Sequence, residues 1–111
     1  MAAFCPDAGF WVGAPPAMRF YEGSPVFAVE VRSEEDYGPI AERARAAKRS
    51  DYFAAGTLVV WDVDVLRSHV VHVYRASGPL TPTTYHRGDS AEAEPAVPGW
   101  SMQVSVLIPD P

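Results

Sequence analysis

Lys48 is the single lysine among nine cationic side chains, and the other eight are arginines. A lysine ammonium is compact, and it takes part in proton transfer and nucleophilic chemistry that a delocalised guanidinium performs poorly. The alternative is an ordinary surface lysine in an arginine-rich chain. The sequence places Lys48 inside a helical pattern, which makes it a catalytic candidate to be weighed against its neighbours.

Two carboxylates accompany this lysine. Asp7 precedes a short aromatic strand pattern, and Glu30 interrupts a strongly apolar run over residues 26–32. A carboxylate in such a run is costly unless it binds a cation or a partner, although a glutamate that reaches solvent at a strand end is an equal alternative. Two converging carboxylates can hold Mg²⁺ or Mn²⁺, and an ammonium beside them can orient water or stabilise negative charge. This combination is the minimum equipment for phosphodiester hydrolysis, but the spacing alone is a weak signal because acid–acid–lysine triples occur by chance in most chains.

A helix is predicted to carry Lys48 towards these acids. Residues 33–36 offer N-capping side chains, Pro39 suits a first helical turn, and Gly56 suits the position after a helix that runs to about residue 55. The three- and four-residue spacing predicts an inner face formed with Lys48 by Ile40, Ala44, Ala47, Tyr52 and Ala55. The same pattern places Arg45 and Arg49 mostly on the outer surface.

The strand patterns predict a mixed sheet. Residues 26–32 and 58–63 are apolar enough for central strands covered on both faces, and residues 69–75 alternate as in a strand nearer an edge. Shorter strands are predicted at residues 10–12, 83–86 and 100–108. A helical crossover between two buried strands implies that they are parallel, so the predicted fold class is α/β.

Composition limits the function classes. The 111 residues are expected to form one domain over residues 1–111, with no apolar run long enough for a membrane span and no visible signal peptide. A lone cysteine makes a cytoplasmic location the default. The net charge of −5 argues against a broad basic surface for nucleic acid, but it is compatible with a local basic strip beside an acidic metal site.

The ordered motifs resemble the Uma-two family of restriction endonucleases, within the PD-(D/E)XK nuclease superfamily. The matching features run along nearly the whole chain: Pro-Asp before a strand, Glu-x-Arg-Ser at a strand end, Lys-x-x-x-Tyr-x-x-x-Gly on a helix, and a Trp strand that ends in Asp. They end with Pro98-Gly99-Trp100, which is similar to the Pro-Gly-aromatic motif of the family.

The resemblance implies a restriction-endonuclease-like core and a DNA substrate. It further implies a metal held by Asp7, Glu30 and the backbone carbonyl of Val31. The superfamily lysine usually lies two residues after the acid, where this chain has Arg32, so the resemblance assigns the catalytic lysine to Lys48 on the helix. Arg32 and Tyr52 are auxiliary candidates, although a guanidinium is a poor proton shuttle.

Two departures from the family keep alternatives open. Val26 replaces an aspartate that most relatives have, and the helix and strand that precede this region in relatives are expected to be missing here. A non-catalytic relative that binds nucleic acid or protein is therefore the main alternative to an endonuclease, and a small structural domain is the third. Sheet edges that need covering favour a homodimer.

Overall fold

The computed structural model describes residues 7–10 and 25–109. In chain order, its elements are β1 (Ala8–Phe10), β2 (Phe27–Val31), α1 (Pro39–Ala54), β3 (Val59–Asp64), β4 (Val70–Arg75), β5 (Gly78–Tyr85), β6 (Ser90–Glu92), β7 (Ser101–Gln103) and α2 (Val104–Leu107). Strands β1 to β5 form one sheet in sequence order, and β6 pairs with β7 in a second sheet. Neither described helix is long and apolar enough to cross a membrane.

The five-stranded sheet is mixed, as predicted. Strands β2 and β3 are parallel and are connected through α1, whereas the other neighbouring pairs are antiparallel. All six residues of β3 are buried, which matches its valine-rich sequence and its central position. The α/β class with a crossover helix is therefore confirmed. The predicted strand at residues 10–12 is seen only up to Phe10, because residues 11 and 12 lie outside the described part.

One face of the sheet packs on the C-terminal region and forms the larger apolar core. Three aromatic rings lie at its centre: the centroids of Phe27 and Trp61 are 5.1 Å apart, and Trp61 stacks on Trp100 at 5.4 Å. The surrounding buried side chains are mostly valine and alanine. Such aromatic pairs contribute about 0.5–1.5 kcal/mol beyond the area that they bury. Trp61 is therefore a buried core residue, and the partly buried Trp100 packs against it.

The other face packs on α1, and here the predicted inner face of the helix is largely wrong. Tyr52 is the only fully buried residue of α1, and Ile40 is 77% exposed. The side chains of Arg45 and Arg49, predicted to point outwards, are only 15% and 16% exposed. The arginines of α1 face the sheet because the buried carboxylates on the sheet require cationic partners.

The start of α1 also differs from the prediction. Its N-cap is Gly38, with φ of 96° and without a side-chain cap, instead of a residue in 33–36. Those residues form a separate turn, in which the backbone N–H of Ser33 donates to the Asp36 carboxylate at 2.7 Å. A carboxylate occupied in a local turn cannot cap the helix. The predicted end is confirmed, since α1 stops at Ala54 and Gly56 has φ of 109°.

The C-terminal region departs most from its predicted secondary structure. The strand expected over residues 100–108 is limited to β7, and α2 follows directly. Val104 and Ile108 are both buried and lie four residues apart, so helical spacing places them together against the core. Strand β5 is longer than the predicted 83–86 and begins at Gly78, which pairs with Arg75 of β4 beyond a register shift.

Candidate active site

Glu30 and Lys48 meet between the sheet and α1. Glu30 lies on β2 with a side chain that is only 12% exposed, and its Oε1 forms an ion pair with the ammonium of Lys48, whose side chain is 46% exposed. The Tyr52 hydroxyl donates to the same Oε1 at 3.0 Å. Because Lys48 and Tyr52 are four residues apart on α1, one helical face presents both donors to one carboxylate.

Asp7 lies at the same end of β2 as Glu30. Strand β1 pairs antiparallel with β2, and extending the register by one residue places Asp7 opposite Glu30. Its Oδ2 accepts a hydrogen bond from the backbone N–H of Val31 at 2.6 Å. The structure therefore brings the two predicted acids to neighbouring positions on adjacent strands, with the Val31 backbone beside them.

Each of these carboxylates has one oxygen left over. Within residues 7–10 and 25–109, Oε2 of Glu30 and Oδ1 of Asp7 have no hydrogen-bond or ion-pair partner. The described part contains no group of three or more His, Cys, Asp or Glu placed to hold a metal ion. A site made of two carboxylates, backbone oxygen and water fits Mg²⁺ or Mn²⁺, which take oxygen ligands and retain several waters.

A third acid, Asp62, lies beside Glu30, and both of its carboxylate oxygens are hydrogen-bonded to arginines. It occupies the position on β3 that is paired with Glu30, and its side chain is 2% exposed. Arg32 donates to both of its carboxylate oxygens, at 3.0 and 2.9 Å, and Arg45 donates to Oδ1 at 2.8 Å. Arg49 approaches Oδ2 at 3.8 Å. This carboxylate is held in place by an arginine that directly follows β2 and by arginines of α1.

Arg32 has a complete set of protein partners. Its five N–H groups donate to the Asp62 carboxylate, to both oxygens of Glu42 at 2.6 and 2.8 Å, and to the carbonyl of Asp36 at 2.7 Å. The hydrogen bond to Glu42, followed by the bond to Asp62, raises the pKa of Arg32 further above its ordinary value, against the opposing effect of burial. The same bond lowers the pKa of Glu42. Arg32 thus ties β2, β3 and α1 together, and its auxiliary catalytic role stays a prediction.

These side chains enclose a small recess between α1 and the sheet. We define the recess by its lining residues: Glu30, Arg45, Lys48, Arg49, Tyr52, Val60 and Asp62. Its cavity volume is about 20 Å³, which is room for roughly one water molecule. Three cationic and two anionic side chains line the recess, so its lining carries a net charge of one positive unit.

A related carboxylate, Asp64, closes the end of β3. It accepts a hydrogen bond from the Tyr37 hydroxyl at 2.5 Å and another from the backbone N–H of Arg67 at 3.0 Å. Burial and this hydrogen bond raise the pKa of Tyr37 to about 12. Burial also opposes ionisation of Asp64, but its hydrogen bonds outweigh that effect and lower its pKa. Asp64 anchors the segment before α1, outside the recess.

Comparison with known proteins adds a family to this geometry. Residues 1–105 match the family model Uma2, described as "Putative restriction endonuclease". The chain belongs to the Uma2 (Uma-two) family. No curated protein matches the sequence.

One solved structure supports the fold of this Uma2 protein. It is described as a putative nuclease belonging to DUF820 from Anabaena variabilis, with 15% sequence identity and a TM-score of 0.62. The match covers 78% of the present chain and 45% of that chain, so the Uma2 protein described here spans less than half of its length. The likeness confirms the predicted fold class, a restriction-endonuclease-like core.

The sequence missed part of the recess of this Uma2 protein. Asp62, Arg45 and Arg49 were not among the candidate site residues, yet all three line it together with Glu30 and Lys48. A signal was available, because Asp62 interrupts the valine-rich β3 as Glu30 interrupts β2, and a buried carboxylate requires cations. The arginines of α1 were the nearest source.

Proposed function

We propose that this chain is a metal-dependent nuclease that hydrolyses phosphodiester bonds of DNA at the Glu30–Lys48 pair. The observation that carries the proposal is the ion pair between an acid on a central strand and the only lysine of the chain, with an aspartate at the register position opposite that acid on the neighbouring strand. Membership of the Uma2 family supports the reaction class.

Asp7 and Glu30 are the proposed metal ligands, together with the backbone carbonyl of Val31. Each carboxylate has one oxygen fixed by the protein and a second oxygen without a partner in the described part. The fixed oxygen orients the group, and the second is available to Mg²⁺ or Mn²⁺. When bound, such an ion activates water and neutralises charge on a phosphoryl oxygen.

Lys48 is the proposed electrostatic catalyst. The Lys48 side chain is half-exposed, so it can be reached from solvent, and its Nζ lies 5.9 Å from the centroid of the Tyr52 ring. In catalysis the ammonium would donate a hydrogen bond to an attacking water or to the negative charge that develops on a phosphoryl oxygen. Tyr52 orients Glu30 through its hydroxyl throughout.

A non-catalytic relative that binds nucleic acid or protein is the second candidate. The direct ion pair between Lys48 and Glu30 favours it, because that pair neutralises the carboxylate without any metal. Val26, in place of the aspartate found in relatives, points in the same direction. The two candidates differ in whether metal binding and strand cleavage are present.

Nicking of a supercoiled plasmid in Mg²⁺ or Mn²⁺ tests the proposal. Wild-type protein is expected to cut, Glu30→Gln is expected to lose cutting, and Glu34→Gln is the matched control because Glu34 is an exposed glutamate outside the recess. Titration calorimetry with Mn²⁺ then separates the candidates. Stoichiometric binding supports the nuclease, whereas no binding and no nicking by wild-type protein leaves the non-catalytic relative.

A further inference from the structure

Arg49 is a cation of the recess that lies against an aromatic ring. It directly follows Lys48 on α1, and its guanidinium carbon lies 4.0 Å from the ring centroid of Tyr74 on β4. The side chain is only 16% exposed. A guanidinium that lies over the ring of a half-buried tyrosine is already restricted, so it loses less conformational entropy when it binds a ligand.

The hydrogen-bond donors of Arg49 are not used by the protein residues that the structure describes. Its nearest carboxylate oxygen is Oδ2 of Asp62 at 3.8 Å, beyond hydrogen-bond distance, and that carboxylate already accepts from Arg32 and Arg45. Arg32, by contrast, has five bonds of 3.0 Å or less. The fold therefore positions the Arg49 guanidinium without saturating it.

This guanidinium can be reached from a second cavity. A groove of about 360 Å³ runs between α1 and the β4–β5 hairpin, and it is lined by Ala46, Arg49, Ser50, Phe53, Ala54, Tyr74, Pro79 and Leu80. Among residues 7–10 and 25–109, Arg49 alone lines both this groove and the recess. A ligand held at Glu30 and Lys48 could therefore extend past Arg49 into the groove.

We propose that Arg49 binds non-bridging phosphate oxygens of the nucleic acid strand held at the Glu30–Lys48 pair. The inference rests on the proposed nuclease function and adds a substrate-binding residue to it. A planar guanidinium with unused parallel donors matches the two oxygens of a phosphodiester, and such bidentate bonds are among the stronger hydrogen bonds in proteins. The ring of Tyr74 fixes the orientation in which those oxygens are met.

The salt dependence of DNA binding tests this proposal. Binding of a short fluorescein-labelled duplex is measured by anisotropy over a salt series, with Ca²⁺ in place of Mg²⁺ to suppress cutting. Arg49→Met keeps the aliphatic packing and removes the charge, so the slope of log K against log salt is expected to become shallower by about 0.9. Arg43→Met removes the same charge from an exposed position on the same helix and is expected to leave the slope unchanged.

The outcomes separate this inference from the proposed function. If wild type binds and nicks DNA but Arg49→Met has the wild-type slope, the Arg49 assignment is wrong and the nuclease stands. If wild type neither binds nor nicks DNA, both proposals fall. If circular dichroism shows that Arg49→Met is unfolded, Arg49→Lys is measured instead. This variant is expected to keep the wild-type slope of log K against log salt but to bind DNA more weakly. Undiminished affinity of Arg49→Lys would contradict bidentate binding.

Discussion

Glu30 and Asp62 are paired residues on two parallel strands, and the protein neutralises their carboxylates in different ways. Asp62 is enclosed by arginines that use both of its oxygens. Glu30 receives a tyrosine hydroxyl and an ammonium on one oxygen, while the other has no partner in the described residues. This contrast separates an acid that holds the structure together from one that is available for a ligand.

Removing the Asp62 carboxylate is expected to destabilise the protein strongly. Asp62→Ala leaves Arg32 and Arg45 buried without their shared acceptor, and breaking one side of a buried ion pair costs about 3–5 kcal/mol. Urea denaturation measures the change in the free energy of unfolding. Glu42→Gln is the control, because Glu42 holds the same Arg32 from a side chain that is 47% exposed and a small loss is expected. Equal losses in the two variants would contradict this account.

The Tyr52 hydroxyl is expected to stabilise Glu30 measurably. Tyr52→Phe removes the hydrogen bond to the partly buried carboxylate of Glu30, a change worth about 1.5–3 kcal/mol, and the lower end is expected because Lys48 remains. Chemical denaturation of both proteins gives the difference. Tyr85→Phe is a matched control, since the hydroxyl of Tyr85 has no hydrogen-bond partner among the described residues. The free energy of unfolding of this variant is expected to lie within about 0.5 kcal/mol of the wild-type value.

Lys48 is expected to matter for cleavage and very little for folding. Lys48→Ala should slow plasmid nicking by about 10²–10⁴-fold, the range found when a positioned catalytic group is lost. Because the lysine side chain is half-exposed, its ion pair contributes little stability and the melting temperature should hardly change. Arg43→Ala removes an exposed cation from the same helix and should cut normally. Nicking by Lys48→Ala at the wild-type rate would remove the catalytic assignment.

Tyr37 is expected to titrate at unusually high pH. Burial and the hydrogen bond to Asp64 raise its pKa from 10.0 to about 12. The pKa of Tyr37 is higher in the folded protein than in the unfolded chain. The protonated hydroxyl therefore contributes its full stabilisation of the fold below pH 10, and this contribution is lost as the pH rises towards about 12. Ultraviolet absorbance of phenolate, compared between wild type and Tyr37→Phe, isolates this tyrosine. A Tyr37 pKa near 10 in the folded protein would show that the Asp64 contact is absent in solution.

The sequence was most informative where apolar periodicity determined the structure. Strands β2 and β3 and the end of α1 follow from valine-rich runs and from Gly56, because burial of these patterns leaves few alternatives. The prediction of a strand over residues 100–108 was wrong because Val104 and Ile108 fit a helical spacing as well as a strand, and short apolar runs do not distinguish the two.

The prediction of the buried face of α1 was wrong for a different physical reason. Counting Ile40 and Ala44 as core residues assumes that apolar side chains alone select the buried face of α1. In the structure, Asp62 and Glu30 on the sheet attract Arg45, Lys48 and Arg49 instead, since buried charges must be paired. That preference comes from strands that are distant in sequence, so local periodicity could not reveal it, although the lone lysine correctly indicated Lys48 as a residue facing Glu30.

Anomalous diffraction from a crystal soaked in Mn²⁺ tests the central claim most directly. The account predicts a single strong peak between the carboxylates of Asp7 and Glu30, with Lys48 displaced from its direct contact with Glu30. A crystal of Glu30→Gln soaked in parallel should lack that peak. No peak at this position in wild-type crystals at saturating Mn²⁺, or a peak that survives in Glu30→Gln, would contradict the assignment of these residues as a metal-dependent nuclease site.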